Sequence, residues 1–150
     1  MKKILLFVAC LLPWFLNVLF MGNNAFYDVI NKPFFALPDF AYGIVWTILY
    51  ILIAISIYII YSEYKFKDIK SYNTALISNY IFNQLYTPIF FRLENLFLAF
   101  VDTILILITA INLYDETKKL NEKASKFLIP YILFSIFACI LSITIYFMNL

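Results

Sequence analysis

One carboxylate stands alone in apolar sequence. Asp102 is the single charge between residues 95 and 114. At span depth in a bilayer a lone carboxylate costs roughly 3 kcal/mol or more unless it is paired, neutralised or wetted. It is either a functional group or a structural partner of Asn or Tyr neighbours. Other polar groups share its surroundings. Asn79, Asn83 and Tyr86 recur at i, i+4, i+7 and so lie on one helix face. Trp46 and Tyr50 share a second face, and Asn95, Ala99, Asp102 and Ile106 form a third stripe. Ser135, Ala138, Cys139 and Ser142 make a small-residue stripe with Phe134 beside it. Small stripes let membrane helices pack closely, and membrane asparagines hold helices together or contact ligands. Both roles are open to Asn79.

Much chemistry is excluded. The chain has no histidine, and Cys10 and Cys139 lack metal-ligand spacing, so no familiar zinc or haem site is predicted. There is no Gly-rich phosphate loop, no Ser-His-Asp set and no usefully spaced carboxylate pair. A net charge of +2, with lysines spread over loops, gives nucleic-acid binding no support. Without internal repeats or inverted halves, a large secondary transporter is not expected.

The elements that hold these residues follow from charge-free windows. The 150 residues suffice for one domain, 65% of them are hydrophobic, and mean hydropathy is +0.90. No soluble domain of this size hides that much apolar surface. A helix needs about 20 apolar residues to cross a bilayer, and lone strands cannot cross it. Five spans are predicted, at 4–21, 40–62, 74–91, 95–114 and 127–148. The first follows Lys2 and Lys3 like a signal peptide, but its apolar run is too long and no A-x-A site follows, so it reads as a retained helix. Pro13, Pro88 and Pro130 should kink or start helices. With five spans, nine of the eleven Lys and Arg residues share the side of the N-terminus, and only Lys32 and Arg92 lie opposite. The N-terminus is therefore expected in the cytoplasm of a bacterial cell and the C-terminus outside.

Residues 22–39 then form a long outer loop. Its core, INKPFFALPDF, is too broken for a helix and too apolar for a solvated loop. Pro33 and Pro38 stiffen it and reduce the entropy lost on ordering. Phe34 and Phe35 are expected to turn inward, with Asp28, Lys32 and Asp39 in water. An interfacial aromatic belt would also place Phe and Tyr here, and belt and lid are compatible.

The order of motifs resembles one family. FYDVINKPFFALPDFAYGIVWTILY looks like the first-loop and second-helix signature of the TspO/MBR family, the tryptophan-rich sensory or translocator proteins, also called peripheral benzodiazepine receptors. NYIFNQLYTPIFF and IPYILFSIFACILS resemble its third and fifth helices, and NLFLAFVDTIL its Bacillus-type members. The likeness runs from end to end, with departures. Only Trp14 and Trp46 are present, Tyr86 and Phe134 stand at frequent tryptophan positions, Leu37-Pro38 replaces Pro-Pro, and Ser142 replaces a common asparagine.

The resemblance implies an all-α bundle of five membrane helices whose first loop roofs a ligand cavity. It implies ligand contacts at Tyr27, Pro38, Trp46, Tyr50, Asn83, Tyr86, Phe134 and Ala138; Phe90 and Ser142 are expected at the same level from the outward run of their helices, and Asn79 and Asp102 are the expected buried polar groups. Expected ligands are porphyrins, sterol-like or lipidic molecules and drugs of the isoquinoline-carboxamide type, and porphyrin faces stack on aromatic rings. No cofactor or metal is required. Membrane lipid is the expected surrounding, a homodimer is open to the chain, and stress regulation is the implied setting. A binding protein acting as sensor, carrier or scavenger is favoured. The alternatives are a light- and oxygen-dependent protoporphyrin-degrading enzyme, with Trp46 as its candidate redox residue, and a packing subunit without ligand.

Overall fold

The computed structural model describes residues 2–20 and 25–150, with backbone alone at 2, 17, 18 and 20. Every regular element among them is helical. Helix α1, Lys2–Leu11, passes into a 3-10 segment, Leu12–Phe20. Pro13 accounts for the change. It has no N–H, and its ring crowds the carbonyl four residues back, so the tighter winding takes over. Met21, the expected end of this helix, lies outside the described residues.

A short helix, α2, Ala25–Val29, sits inside the segment expected to be irregular. Residues 22–24 of that segment lie outside the described set. Helix α3, Asp39–Glu63, matches its predicted span to within a residue at each end. After a 3-10 turn at Phe66–Asp68, α4 runs over Lys70–Phe91 and α5 over Leu96–Leu120. Both outrun their predicted spans, because hydropathy marks the apolar part of a helix and not its hydrogen-bonded ends. The added end of α5 carries the Glu116–Lys119 ion pair and places Lys118 and Lys119 in its last turn, where they meet the negative end of the dipole. Asn95 caps its start by accepting from Leu98 N at 2.9 Å. The last predicted span, 127–148, is α7, Ile129–Met148, and a short helix not expected from the sequence, α6, Glu122–Lys126, precedes it. Asn121 caps α6, and Pro130 opens α7 in its first turn, where a missing N–H costs nothing.

Among the described residues three stretches are long and apolar enough to cross a membrane: Asp39–Glu63, Leu96–Leu120 and Glu122–Met148, the last taken through the α6–α7 joint. Lys3–Leu16 is a shorter apolar helix. Helix α4 has 22 residues and buries Asn73, Asn79 and Asn83.

Packing sets where a cavity can form. Helix α5 lies along both α4 and α7, while α3 packs mainly on α1 and touches α5 and α7 lightly. One core holds the end of the molecule formed by Ile57, Ile60, Tyr72, Leu113 and Leu128. A second, built from Ile30, Phe90, Ala99, Leu141 and Ile145, joins the lid to α4, α5 and α7. Space remains between them, on the side where α3 stands off.

Candidate functional site

That space is a cavity of about 380 Å³, within the usual size of small-molecule sites. Its walls are mainly aromatic. Trp46 lies 5.5 Å from Tyr50 and meets Phe134 edge-on at 5.4 Å. Opposite, Tyr86 stacks on Phe90 at 5.6 Å and 20°. Eight of the ten expected contact residues line it: Tyr27, Trp46, Tyr50, Asn83, Tyr86, Phe90, Phe134 and Ala138.

Two do not. Pro38 is exposed at the N-cap of α3 and faces away from the cavity. Ser142 is buried outside the lining, on the side of α7 that meets α5. Cys139, on that same side, donates its Sγ–H to the Thr103 carbonyl at 3.1 Å. The small stripe is split, with Cys139 bonded to α5 and Ser135 and Ala138 lining the cavity. The cavity wall of α7 also includes Phe134, Phe137, Leu141 and Ile145. Phe15, Thr87 and Phe137 also line the cavity and were not anticipated. Thr87 follows Asn83 by four residues and Phe137 follows Phe134 by three, so periodicity alone could have found both. Phe15 carries no such signal, because the 3-10 winding shifts its facing.

Beneath the cavity a chain of polar groups crosses all four long helices. Tyr50 Oη donates to Asn83 Oδ1 at 3.0 Å, and Asn83 Nδ2 donates to Tyr131 Oη at 3.2 Å. Tyr131 Oη donates to Asn79 Oδ1 at 3.1 Å. Asn79 Nδ2 then donates to Thr109 Oγ1 at 3.0 Å and to the Ile106 carbonyl at 3.2 Å. Asn79 is fully buried and joins α4 to α5 and α7, as a polar group between membrane helices does. Asp102 is buried at 3% exposure on the same face of α5 as Ile106. Its Oδ2 has no hydrogen-bond partner, so the expected bond from an Asn or Tyr neighbour is not formed there.

The first loop meets the cavity differently from expectation. Ala36 N donates to the Pro33 carbonyl at 3.0 Å, which makes Phe34 and Phe35 the corner of a turn. Phe34 is fully exposed, and only Phe35 reaches inward, 6.4 Å from Phe137. Lys32 is half-buried and not in open water. Its Nζ donates to the Tyr27 carbonyl at 2.9 Å and lies 3.9 Å from the centre of the Tyr27 ring. Asp39, expected in water alone, also lines the cavity mouth. The Tyr27 hydroxyl is buried without a hydrogen-bond partner. Burial pushes its pKa well above the ordinary tyrosine value, with the Tyr42 hydroxyl and Asp39 carboxylate adding to the effect.

A reciprocal amide clasp fastens the lid to the end of α7. Asn31 N donates to Asn149 Oδ1 at 2.8 Å, and Asn149 Nδ2 donates back to the Asn31 carbonyl at 3.0 Å. Two such bonds contribute about 1–2 kcal/mol together. Asn149→Ala should therefore speed amide hydrogen exchange across residues 25–38 by roughly tenfold. Exchange there at the wild-type rate would show that the clasp does not hold the lid.

A sequence profile of the TspO/MBR family matches residues 4–148. The chain is 40% identical to Tryptophan-rich protein TspO of Bacillus cereus over 152 residues, covering 99% of each. It is 41% identical to the uncharacterized membrane protein YtaB of Bacillus subtilis over 132 residues, covering 88% of this chain and 85% of that one. It is 31% identical to Tryptophan-rich protein TspO of Archaeoglobus fulgidus over 130 residues, covering 84% and 81%. With helices long and apolar enough to cross a bilayer and a match over nearly its whole length, the chain is an integral membrane protein that belongs to the TspO/MBR family.

Proposed function

We propose that this protein binds flat hydrophobic molecules, porphyrins and sterol-like lipids among them, in the aromatic cavity beneath the lid. One observation carries the reading. Two aromatic walls, Trp46 with Phe134 and Tyr86 with Phe90, face a common space of about 380 Å³. Ring faces of this kind take a planar ligand by burial and stacking. Asn83 gives one of its two amide N–H groups to Tyr131 and its oxygen to Tyr50, and the Trp46 indole N–H is the proposed orienting donor. Titrating protoporphyrin into detergent-solubilised protein, followed by tryptophan quenching and porphyrin absorbance, tests this directly. Saturable binding is expected, and a linear response with no saturation would end the reading. The same sample under light and oxygen separates binding from turnover. Porphyrin loss in wild type that disappears in Trp46→Phe would mark an oxidative enzyme. Loss at equal rates in both, or none, leaves a binding protein that acts as sensor, carrier or scavenger.

We further propose five membrane passages, with α1 and its 3-10 extension as the first and α4 as the third, and the N-terminus in the cytoplasm. Nine of eleven cationic residues then share the inner side. Exposed positions at the two ends test the arrangement. In a Cys10→Ser, Cys139→Ser background, Phe34→Cys should react with an impermeant thiol reagent in intact cells, and Lys67→Cys should react only after lysis. The reverse pattern would invert the protein in the membrane.

A further inference from the structure

The loop that follows α3, at the end away from the cavity, is both cationic and apolar. Residues 65–70, KFKDIK, carry three lysines against one aspartate. Lys65, Lys67 and Lys70 are exposed and form no ion pair among the described residues, whereas Lys119 and Lys126 pair with Glu116 and Glu122. Phe66, between the first two lysines, is 61% exposed. The loop is held in this shape. Asn73, itself buried, donates from Nδ2 to the Phe66 carbonyl at 2.6 Å and accepts from Tyr61 Oη at 2.9 Å. The Tyr61 ring stacks on Phe66 at 6.2 Å and 22°, and Ile69 is buried in the core. The uncharged run of α3 ends just before the loop, so the loop stands where hydrocarbon gives way to headgroups.

We infer that the 65–70 loop is a docking surface for anionic phospholipid, with Phe66 at the hydrocarbon boundary and Lys65, Lys67 and Lys70 on the lipid phosphates. An exposed ring between ammonium groups suits a partner that offers hydrocarbon and negative charge together. A soluble anion or an acidic protein segment would take the lysines and leave the ring without an apolar neighbour. Because Asn73 and Tyr61 already fix the loop, little conformational entropy is lost when lipid docks. On the five-passage reading above the lipid belongs to the inner leaflet. The chemistry is the same in either orientation, so the two are tested separately.

The test reads the lipid beside the loop. In a Trp14→Phe, Trp46→Phe background, Phe66→Trp places the single indole there. The protein is reconstituted in mixed vesicles in which either the phosphatidylglycerol or the phosphatidylcholine is brominated near the headgroup end of its chains. Quenching then gives the relative affinity of the two lipids. One lysine at an anionic surface contributes about fivefold. With its excess of two positive charges, partly screened, the loop should prefer phosphatidylglycerol by about tenfold at low salt. Salt at 0.5 M should bring the ratio near one. Lys65→Gln, Lys67→Gln and Lys70→Gln together should do the same. Lys118→Gln with Lys123→Gln removes two lysines from the neighbouring helices and should leave most of the preference. Phe97→Trp in the same background reports from the start of α5, at the other end, and should give a ratio near one. A ratio near one at position 66, a preference that survives loss of the three loop lysines, or equal loss in the Lys118 and Lys123 pair overturns the inference. Should the tryptophan replacements prevent folding, thermal unfolding in detergent of the protein with its native tryptophans decides. Added phosphatidylglycerol must raise the midpoint more than phosphatidylcholine does in wild type, and not in the triple lysine variant. Any other result overturns the inference.

Discussion

Trp46→Ala should weaken protoporphyrin binding by about thirtyfold, or roughly 2 kcal/mol. The indole is the junction of one cavity wall, in ring contact with Tyr50, Tyr131 and Phe134. Removing it takes away a large aromatic face and the proposed orienting N–H together. The fold should survive, because Trp46 already borders open space and its loss widens a cavity instead of creating one in packed core. Trp46→Phe should cost only a few-fold, since a ring remains. Ala138→Thr should cost about tenfold by pushing a β-branched side chain into the cavity from α7. Trp14→Phe is the control. Trp14 is 2% exposed and packs on Tyr50 and Tyr80 outside the lining, so ligand affinity should move less than twofold. Trp14 also remains to report binding when Trp46 is gone, 5.7 Å from the Tyr50 ring. Wild-type affinity in both Trp46→Ala and Ala138→Thr would place the ligand elsewhere.

How much of this was legible differs from element to element. Charge-free windows located the helices, because lipid-length apolar runs have few other uses. They misjudged ends such as 115–120 of α5, which are polar yet helical, since caps and ion pairs hold them. The prolines of the first loop pointed to an ordered segment, and the turn from Pro33 to Ala36 belongs to it. Side-chain direction within it was not readable, because the turn from Pro33 to Ala36 decides that Phe34 points out and Phe35 in. On α7 polarity misled. Ser142 looked like a contact residue, yet it is buried outside the lining, and Leu141 and Ile145 face the ligand space along with Ser135 and Ala138. The Tyr131 link was invisible for a different reason. It joins residues 48 and 52 positions away, and no local pattern encodes such a meeting.

Two buried polar residues that look alike in sequence should respond in opposite directions to the same replacement. Asn79 makes three interhelical bonds, one of them accepted from Tyr131. Membrane hydrogen bonds average about 0.6 kcal/mol and reach about 1.7, and Asn79→Leu also removes the acceptor of Tyr131 and the donor to Thr109. A loss of roughly 2–3 kcal/mol is expected. Asp102 is equally enclosed, but its Oδ2 has no partner. An orphaned buried polar atom costs about 1–3 kcal/mol, and an apolar side chain removes that cost. Asp102→Leu should therefore raise the thermal midpoint in detergent where Asn79→Leu lowers it. Asp102→Ala covers the case in which leucine is too large for the site, and should stay at or above wild type. Asp102→Asn keeps the shape with an amide in the same setting, so it should change little. Thermal unfolding of the four variants in one detergent decides the matter. If Asp102→Leu and Asp102→Ala both fall well below wild type while Asp102→Asn does not, the carboxyl is satisfied in the working protein by a group it does not touch in this structure. Asp102 would then be a polar anchor of the bundle, as Asn79 is.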